Sequence, residues 1–391
     1  MTRMRCVVFV AMAGAMALVT SCKSSEDEPP ADASAQAADL QLGIGQANPF
    51  FPTRLPQIAE VLSTAYAGKV ADPSAYKLGI VSMGLSAYWT ALQLGASQAT
   101  YKINCASSYV GASDAAEQVT AIRNLIDGDY EGFAVSVAAD TSKDLDGDGI
   151  PEAYHVEDVI AEGVAKSMGV ITYDSDGGPG SARFLYLGTD NAAAGVLAGQ
   201  KMGELVGPGG GKVAAFAVAY ALGGEPASNL MQRYAALVDV LSGLGVQVTL
   251  VTGPKDSYSA TAAATLAASP ELTGVITLQA TTGPIVAQAV KDAGKAGALK
   301  FVAFDFTPPI RSLIQEGVVH TAIVQEQYWM GYLTINILYS MAALGNETTR
   351  ALLAPWLSGP SLDVLYTDLN AVTIETYQLY LDYLQSLGIQ G

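Results

Sequence analysis

The sequence predicts an α/β fold of two doubly wound parallel-sheet lobes. Short apolar runs alternate with helical patterns from Lys77 to Leu344, which is the signature of parallel strands covered by helices on both faces. The alternation supplies more strands than one sheet needs. Half of the 391 residues are hydrophobic, with 40 glycines, which is ample for two tightly packed helix-on-sheet cores.

The elements follow in order. Pro56–Gly68 forms one extra helix ahead of the regular part. Leu78–Met83 is a strand bounded by Gly84, Ala91–Ala99 a helix and Tyr101–Cys105 a strand. Asp114–Ile126 is a helix because Asp114 and Glu117 have capping-box spacing, Val119, Ile122 and Ile126 share a face, and Gly128 ends it. Strand Gly132–Val137, helix Val156–Met168 and strand Val170–Tyr173 continue the pattern. Helix Ala193–Leu205, strand Lys212–Ala219, helix Ser228–Ser242, strand Val246–Val251 and helix Tyr258–Ala268 follow. Then come strand Gly274–Leu278, helix Pro284–Ala293, strand Phe301–Asp305, helix Pro308–Gln315, strand Thr321–Val324 and helix Tyr328–Leu344. Tyr328–Leu344 carries Asn336, Ser340 and three tyrosines and is short for a bilayer, so it reads as a buried helix.

The N-terminus carries an address. Arg3 and Arg5 precede an apolar stretch from Val7 to Val19, and Thr20-Ser21-Cys22 closes it. The stretch is shorter than the roughly 20 residues a membrane-spanning helix needs, and the pattern is similar to a bacterial lipoprotein signal. Residues 1–21 are expected to be removed, with lipid attached to Cys22 at a membrane outside the cytoplasm. An ordinary secretory signal, or a strand with a chance cysteine, is the competing reading. Residues 22–45, rich in Ser, Glu, Asp, Pro and Ala, read as a flexible tether, and 46–76 as an N-terminal extension.

The chain has 20 basic and 37 acidic residues, a formal charge of −17. Loss of Arg3 and Arg5 with the leader makes it more negative still. Such a surface repels nucleic acid phosphates, so no nucleic acid partner is expected. Beyond Cys6 and Cys22 the one cysteine is Cys105, so no intrachain disulfide forms in the processed chain, and Cys105 reads as a buried inert thiol.

Ligands in such folds sit at the carboxyl ends of strands. Ser86, Tyr88 and Trp89 follow the first strand of the regular pattern, Ser136 the third, and Asp174, Ser175 and Asp176 the fourth. Gln279, Asp305 and Gln325 end later strands, and Tyr258 opens a helix after a Gly-Pro turn. Carboxylates and amides give hydroxyl groups fixed donors and acceptors. Aromatic rings match the apolar C–H faces of a sugar ring. The set therefore suits a neutral polyol.

The same residues lie in recognisable motifs. Val302-Ala303-Phe304-Asp305-Phe306-Thr307-Pro308 and Ala322-Ile323-Val324-Gln325-Glu326-Gln327-Tyr328-Trp329-Met330-Gly331 resemble signatures of type I periplasmic solute-binding proteins of the ribose/galactose-binding group. Asp114-Ala115-Ala116-Glu117-Gln118 and Leu187-Gly188-Thr189-Asp190-Asn191 are also typical. The resemblance covers about residues 77–385. It implies two lobes joined by a three-crossover hinge, lobe 1 being 77–176 plus 326–355 and lobe 2 being 177–325 plus 356–391. It implies a monomer that holds a sugar or polyol in its cleft by hinge closure and hands it to the permease of an ABC importer. No covalent chemistry and no organic cofactor are expected. Tyr88 and Trp89 match the aromatic pair that stacks on sugar, Asp174 a carboxylate after the fourth strand, and Tyr258 a second-lobe aromatic. Gln279 and Asp305 match polar second-lobe ligands, and Gln325 a hinge-side amide.

Departures bear on the ligand. Members of this group often place Asn ahead of the aromatic pair, Arg after the fourth-strand Asp, and Arg near the start of the helix at Ser228–Gln232. Here Ser86, Ser175 and Asn229 with Met231 and Gln232 stand at those places. Arg233 resembles the group's structural arginine. Two bidentate donors are thereby lost, which favours a smaller, linear or less oxygenated ligand than ribose or glucose.

One insertion suggests a metal. Asp144, Asp146 and Asp148, Gly149 and the carbonyl of Ile150 follow the first half of a calcium loop, but His155 stands where the last acidic ligand belongs. Glu152, Glu157 or Asp158 could substitute. The expectation is a structural Ca²⁺, with a solvated acidic turn as the alternative.

Other classes fit less well. Ser86, Asp305 and His320 occur in α/β-hydrolase order, but Gly84-Leu85-Ser86-Ala87-Tyr88 lacks the second glycine of the nucleophile elbow. Gly207–Val213 imitates a phosphate loop with one residue too few and leads into a strand. A receptor subunit that reports its ligand to a membrane signalling protein would share every feature described. A repressor of this fold would need a DNA-binding head where the leader and tether stand.

Overall fold

The computed structural model describes residues 6–11, 19–22, 48–138, 152–177, 180–209, 211–219 and 226–389, the first two stretches as backbone only. The tether, and Asp144, Asp146, Asp148 and Ile150 of the acidic loop, lie outside the described residues, as does the side chain of Glu152.

The chain forms two compact units, each built on its own sheet. The first sheet contains β1 (Cys6–Ala11), β2 (Val19–Cys22), β3 (Lys77–Met83), β4 (Ala106–Ala112), β5 (Gly132–Val135), β6 (Gly169–Tyr173), β7 (Tyr186–Gly188) and, from late in the chain, β13 (Val364–Tyr366). Its order is β13-β7-β6-β5-β3-β4-β1-β2, parallel except for the β1–β2 pair. The second contains β8 (Gly211–Ala219), β9 (Val246–Pro254), β10 (Gly274–Thr277), β11 (Lys300–Phe304), β12 (Thr321–Gln325) and β14 (Leu369–Val372) in the order β14-β12-β11-β10-β8-β9. Only β14 runs antiparallel. From β4 to β13 and from β9 to β14 the two orders are the same, so each strand has a counterpart in the other unit.

The first unit comprises residues 1–188, 327–367 and 382–390, and the second 189–326, 368–381 and 391. The expected lobe boundaries shift accordingly. Residues 177–188 join the first unit because β7 pairs with β6, and 356–367 join it because β13 pairs with β7. A fourth division, beyond the three crossovers, falls inside the terminal helix Tyr377–Ser386.

The helices are α1 (Arg54–Tyr66), α2 (Ala87–Ile103), α3 (Ala115–Asp127), α4 (Glu152–Ala165), α5 (Asn191–Val206), α6 (Ser228–Gly243), α7 (Tyr258–Ala268), α8 (Thr282–Asp292), α9 (Pro308–Gln315), α10 (Gln327–Leu344), α11 (Asn346–Leu353) and α12 (Tyr377–Ser386). At α3 the Asp114 side chain accepts from Glu117 N–H at 2.8 Å, while the Glu117 carboxylate reaches back to Ser113 N–H at 2.7 Å. The expected strand Tyr101–Cys105 is instead the end of α2. Leu92, Ala96 and Ala99 carry the helical period on, and Asn104 closes the helix in the left-handed conformation at φ 65°. The strand starts afterwards, at Ala106. Cys105 is half-buried there, and burial pushes its thiol up to about 12, well away from nucleophile chemistry.

Helix α10 is buried on nearly every side and packs against α1 and α2. Glycines make the α2 contact close: a Cβ on Gly95 would lie 2.0 Å from the Tyr328 carbonyl oxygen, and one on Gly331 2.0 Å from that of Leu92. Among the described residues no helix is long and apolar enough to cross a membrane. Helix α1 adds Leu55, Ile58, Leu62 and Tyr66 to the first unit's core, and the Tyr66 hydroxyl donates to Asn336 Oδ1 at 2.7 Å.

Candidate functional site

Residues at the carboxyl ends of the strands form one cluster in each unit. In the first, β6 ends at Tyr173 and Asp174 leaves it with φ 58°. The Asp174 N–H donates to Leu187 O of the neighbouring strand at 3.1 Å, so the backbone stays in the sheet while the side chain turns away. Tyr88, in the first turn of α2, donates its hydroxyl to Asp174 Oδ1. The Ser136 hydroxyl donates to Asp174 Oδ2 at 3.2 Å. Gln118, fully buried on α3, fixes the segment after β5: its amide donates to Ser136 O at 2.6 Å and accepts from Ala138 N–H at 2.9 Å.

Trp89 is buried. Its indole N–H donates to Met83 O at 3.0 Å and its ring meets Tyr88 and Tyr173 edge-on, with centroids 4.8 and 6.0 Å apart. Of the expected aromatic pair, Tyr88 is thus the partly exposed member and Trp89 the wall behind it. Burial, with Tyr109 and Asp174 adding to it, drives the Tyr173 phenol well above its usual range, and it stays a donor to Val81 O at 3.1 Å. Ser86 stands exposed at the N-cap of α2, without a side-chain cap bond.

The second unit's cluster centres on Asp305, which leaves β11 with φ 69° and donates its N–H to Ile323 O at 2.7 Å. Asp305 Oδ1 accepts from Gln325 Nε2 at 2.8 Å. Gln325 Oε1 in turn accepts from Thr189 Oγ1 at 2.7 Å and from Arg233 at 2.9 Å. Arg233 also donates to Asn191 Oδ1 and Leu278 O, both at 2.8 Å, and lies 4.4 Å over the Phe304 ring. Asp305, Gln325 and Arg233 are each at most 3 % exposed. A buried guanidinium thus fixes which end of the Gln325 amide faces the carboxylate: its oxygen turns to Arg233 and its N–H₂ to Asp305. Burial, with Glu326 and Asp305 adding to it, raises the Tyr380 phenol far above its ordinary value, so it remains protonated.

Gln279 is 9 % exposed, donates to Thr281 Oγ1 at 2.8 Å, and its Oε1 has no hydrogen-bond partner among the described residues. Asn229 is half-buried at the start of α6, where its Oδ1 accepts from Leu230 N–H. Tyr258 differs from expectation. It is fully buried against Phe216, its hydroxyl donates to Val251 O at 3.2 Å, and burial raises its phenol. It is a core residue of the second unit and presents no stacking face.

Gln118, Thr189 and Asn191 were missing from the sequence-based site, although all three stand in the motifs Asp114–Gln118 and Leu187–Asn191. The hydrolase order does not assemble. Asp305 follows the end of β11, whereas His320 precedes the start of the parallel β12 and accepts from Phe301 N–H at 3.3 Å. A five-residue strand, about 17 Å at roughly 3.3 Å per residue, separates those two levels. A cavity of about 610 Å³ in the first unit, lined by Arg183, Phe184, Glu347 and Arg350, lies near the amino ends of its strands, away from Asp174. Among the described residues no group of three or more His, Cys, Asp and Glu side chains is placed to hold a metal.

The model of the periplasmic binding protein domain matches residues 79–347. The chain belongs to the periplasmic binding protein family. Solved structures share the fold over nearly their whole length. A solute-binding protein of an ABC transporter from Burkholderia graminis, in complex with D-arabinose, is 24% identical with a TM-score of 0.64, covering 78% of this chain and 98% of its own. A sugar-binding protein of a sugar ABC transporter from Bacillus halodurans is 25% identical with a TM-score of 0.63, covering 78% and 99%. XylFII, in its complex with LytSN, is 21% identical with a TM-score of 0.61, covering 77% and 98%. No curated protein matches the chain. The expected type I architecture, with two mostly parallel sheets flanked by helices, is the one observed.

Proposed function

We propose that this chain is an extracytoplasmic, lipid-anchored solute-binding protein that captures a sugar or polyol by hinge closure and delivers it to an ABC importer. The observation that carries the reading is the pair of strand-end carboxylates, Asp174 bonded by the Tyr88 and Ser136 hydroxyls and Asp305 by the Gln325 amide. Such carboxylates are strong directional acceptors for hydroxyl groups. Gln279 Oε1 adds a further acceptor, and Tyr88 an aromatic ring beside the first carboxylate. The sugar-binding neighbours support the ligand class. Binding selects the closed state by its differential affinity for it, with no bond made or broken.

A thermal-shift screen of the mature chain over sugars and polyols tests this reading. A hit whose shift disappears in Asp305→Ala supports it. A panel without any hit, or a hit indifferent to Asp305→Ala and Trp89→Ala, overturns it.

The XylFII–LytSN complex favours a second reading, a receptor subunit that passes ligand occupancy to a signalling partner. Capture of a permease by the loaded chain would support the importer, and capture of a sensor protein the alternative. Two finer parts of the proposal concern the termini and the insertion. Mass spectrometry of the membrane fraction should find the chain beginning at a lipid-modified Cys22. Calcium should raise, and chelator lower, the melting temperature through Asp144, Asp146 and Asp148; an unchanged melt refutes that site.

A further inference from the structure

Asp174 is already engaged by this chain's own hydroxyls. Tyr88 donates to one carboxylate oxygen and Ser136 to the other. A carboxylate offers about four lone-pair sites, so a ligand meets Asp174 with at least two of them committed. The commitment is built in from behind. Gln118 clamps the segment bearing Ser136, and Trp89, beside Tyr88, is pinned to Met83 O and packed on Tyr173. Tyr88 is therefore a donor on a rigid wall, and its ring is the partly exposed member of the aromatic pair. Ser175, the next residue, is buried and hydrogen-bonded through its backbone to Tyr173 O and Val137 N, so it brings no further donor group into solvent.

From this arrangement, and resting on the sugar-binding reading above, we infer that Tyr88 is a specificity-determining residue: its hydroxyl takes the place at Asp174 of one ligand hydroxyl, so the chain selects a deoxy-sugar over its fully hydroxylated counterpart. A counterpart whose extra hydroxyl is directed at the carboxylate site that Tyr88 fills must either displace the phenol from Asp174 or leave that hydroxyl buried without an acceptor. Either outcome costs a hydrogen bond to a charged group, about a tenfold effect or more.

Calorimetric titration of the mature chain with matched pairs tests this: D-ribose and 2-deoxy-D-ribose, D-glucose and 2-deoxy-D-glucose, D-galactose and D-fucose. The wild type should bind the deoxy member of at least one pair tenfold or more tighter. Tyr88→Phe, which keeps the ring, should move that ratio at least tenfold toward the hydroxylated member, and should move it less than twofold in an Asp174→Asn background. Tyr88→Leu supplies a second route, weakening both members while shifting the ratio in the same direction. A wild type that prefers the hydroxylated members, or a ratio unmoved by both Tyr88 variants, overturns the inference and leaves sugar binding intact. A chain that binds no member of any pair, and no other sugar or polyol, overturns both.

Discussion

Asp174 and Asp305 occupy the same place in two separate sheets. Each follows the strand that stands second from the β13 or β14 edge once that edge strand is set aside, β6 in one unit and β11 in the other. Both adopt the left-handed backbone region, at φ 58° and 69°, and each donates its N–H to the adjacent strand, Leu187 O and Ile323 O. Aspartate tolerates this conformation better than most residues, yet it remains uncommon away from glycine. Its recurrence at both strand ends, with Tyr88 and Ser136 hydroxyls on the Asp174 carboxylate and the Gln325 amide on that of Asp305, is in keeping with the ligand-binding role proposed for both positions.

The support behind Asp305 should be costly to remove. Arg233→Met takes the guanidinium donor from Asn191 Oδ1 and Leu278 O and leaves Gln325 Oε1 with Thr189 alone. Unsatisfied buried acceptors cost about 1–3 kcal/mol each, so chemical denaturation should show a loss of at least ~2 kcal/mol. Ligand affinity should fall too, because the Gln325 amide loses the contact that aims it at Asp305. A variant as stable as the wild type would show that the network is not under load.

Helix α1 lies ahead of the residues that match the family domain, yet it is part of the first unit's core. Leu62→Ala removes a fully buried side chain and should cost about 2–5 kcal/mol. Tyr66→Phe removes the 2.7 Å bond to Asn336 and should cost about 1 kcal/mol. Melts of the two variants decide the matter; unchanged stability in Leu62→Ala would make α1 an ornament on the fold.

His320 should make stability depend on pH. Burial, with Lys300 nearby, holds its imidazole below the ordinary value, and its Nδ1 accepts from Phe301 N–H. The denatured chain then takes up the proton first, at about 6.5. The stabilisation is present above that pH and is lost as pH falls through and below it. Denaturation at pH 7 and pH 5 should show a larger loss for the wild type than for His320→Gln. Equal losses would refute the assignment.

Much of this was legible in the sequence, for physical reasons. The β–α alternation survives because central parallel strands are buried on both faces and read as apolar runs. The strand-end placement of Asp174, Asp305, Gln279 and Gln325 was legible because polar residues interrupt those apolar runs where the strands end. The strand misplaced at Tyr101–Cys105 arose because aromatic and β-branched residues suit either structure, and the core pairing of α2 with α10 decided for helix. Strands β7 and β13 have three residues each, too few to carry a period. Tyr258 was misjudged because an aromatic after a turn has no mark to say whether it faces solvent or the core. Gln118 and Thr189 were overlooked since their role is to hold other groups, which only the folded chain reveals.

The most direct measurement is a calorimetric titration of the mature chain with the sugar or polyol that stabilises it most, repeated on Asp174→Asn and Asp305→Asn. The account predicts one-site binding by the wild type, an affinity reduced at least about tenfold in each variant, and ligand recovered chemically unchanged. Undiminished binding in both variants, or turnover of the ligand, would contradict it.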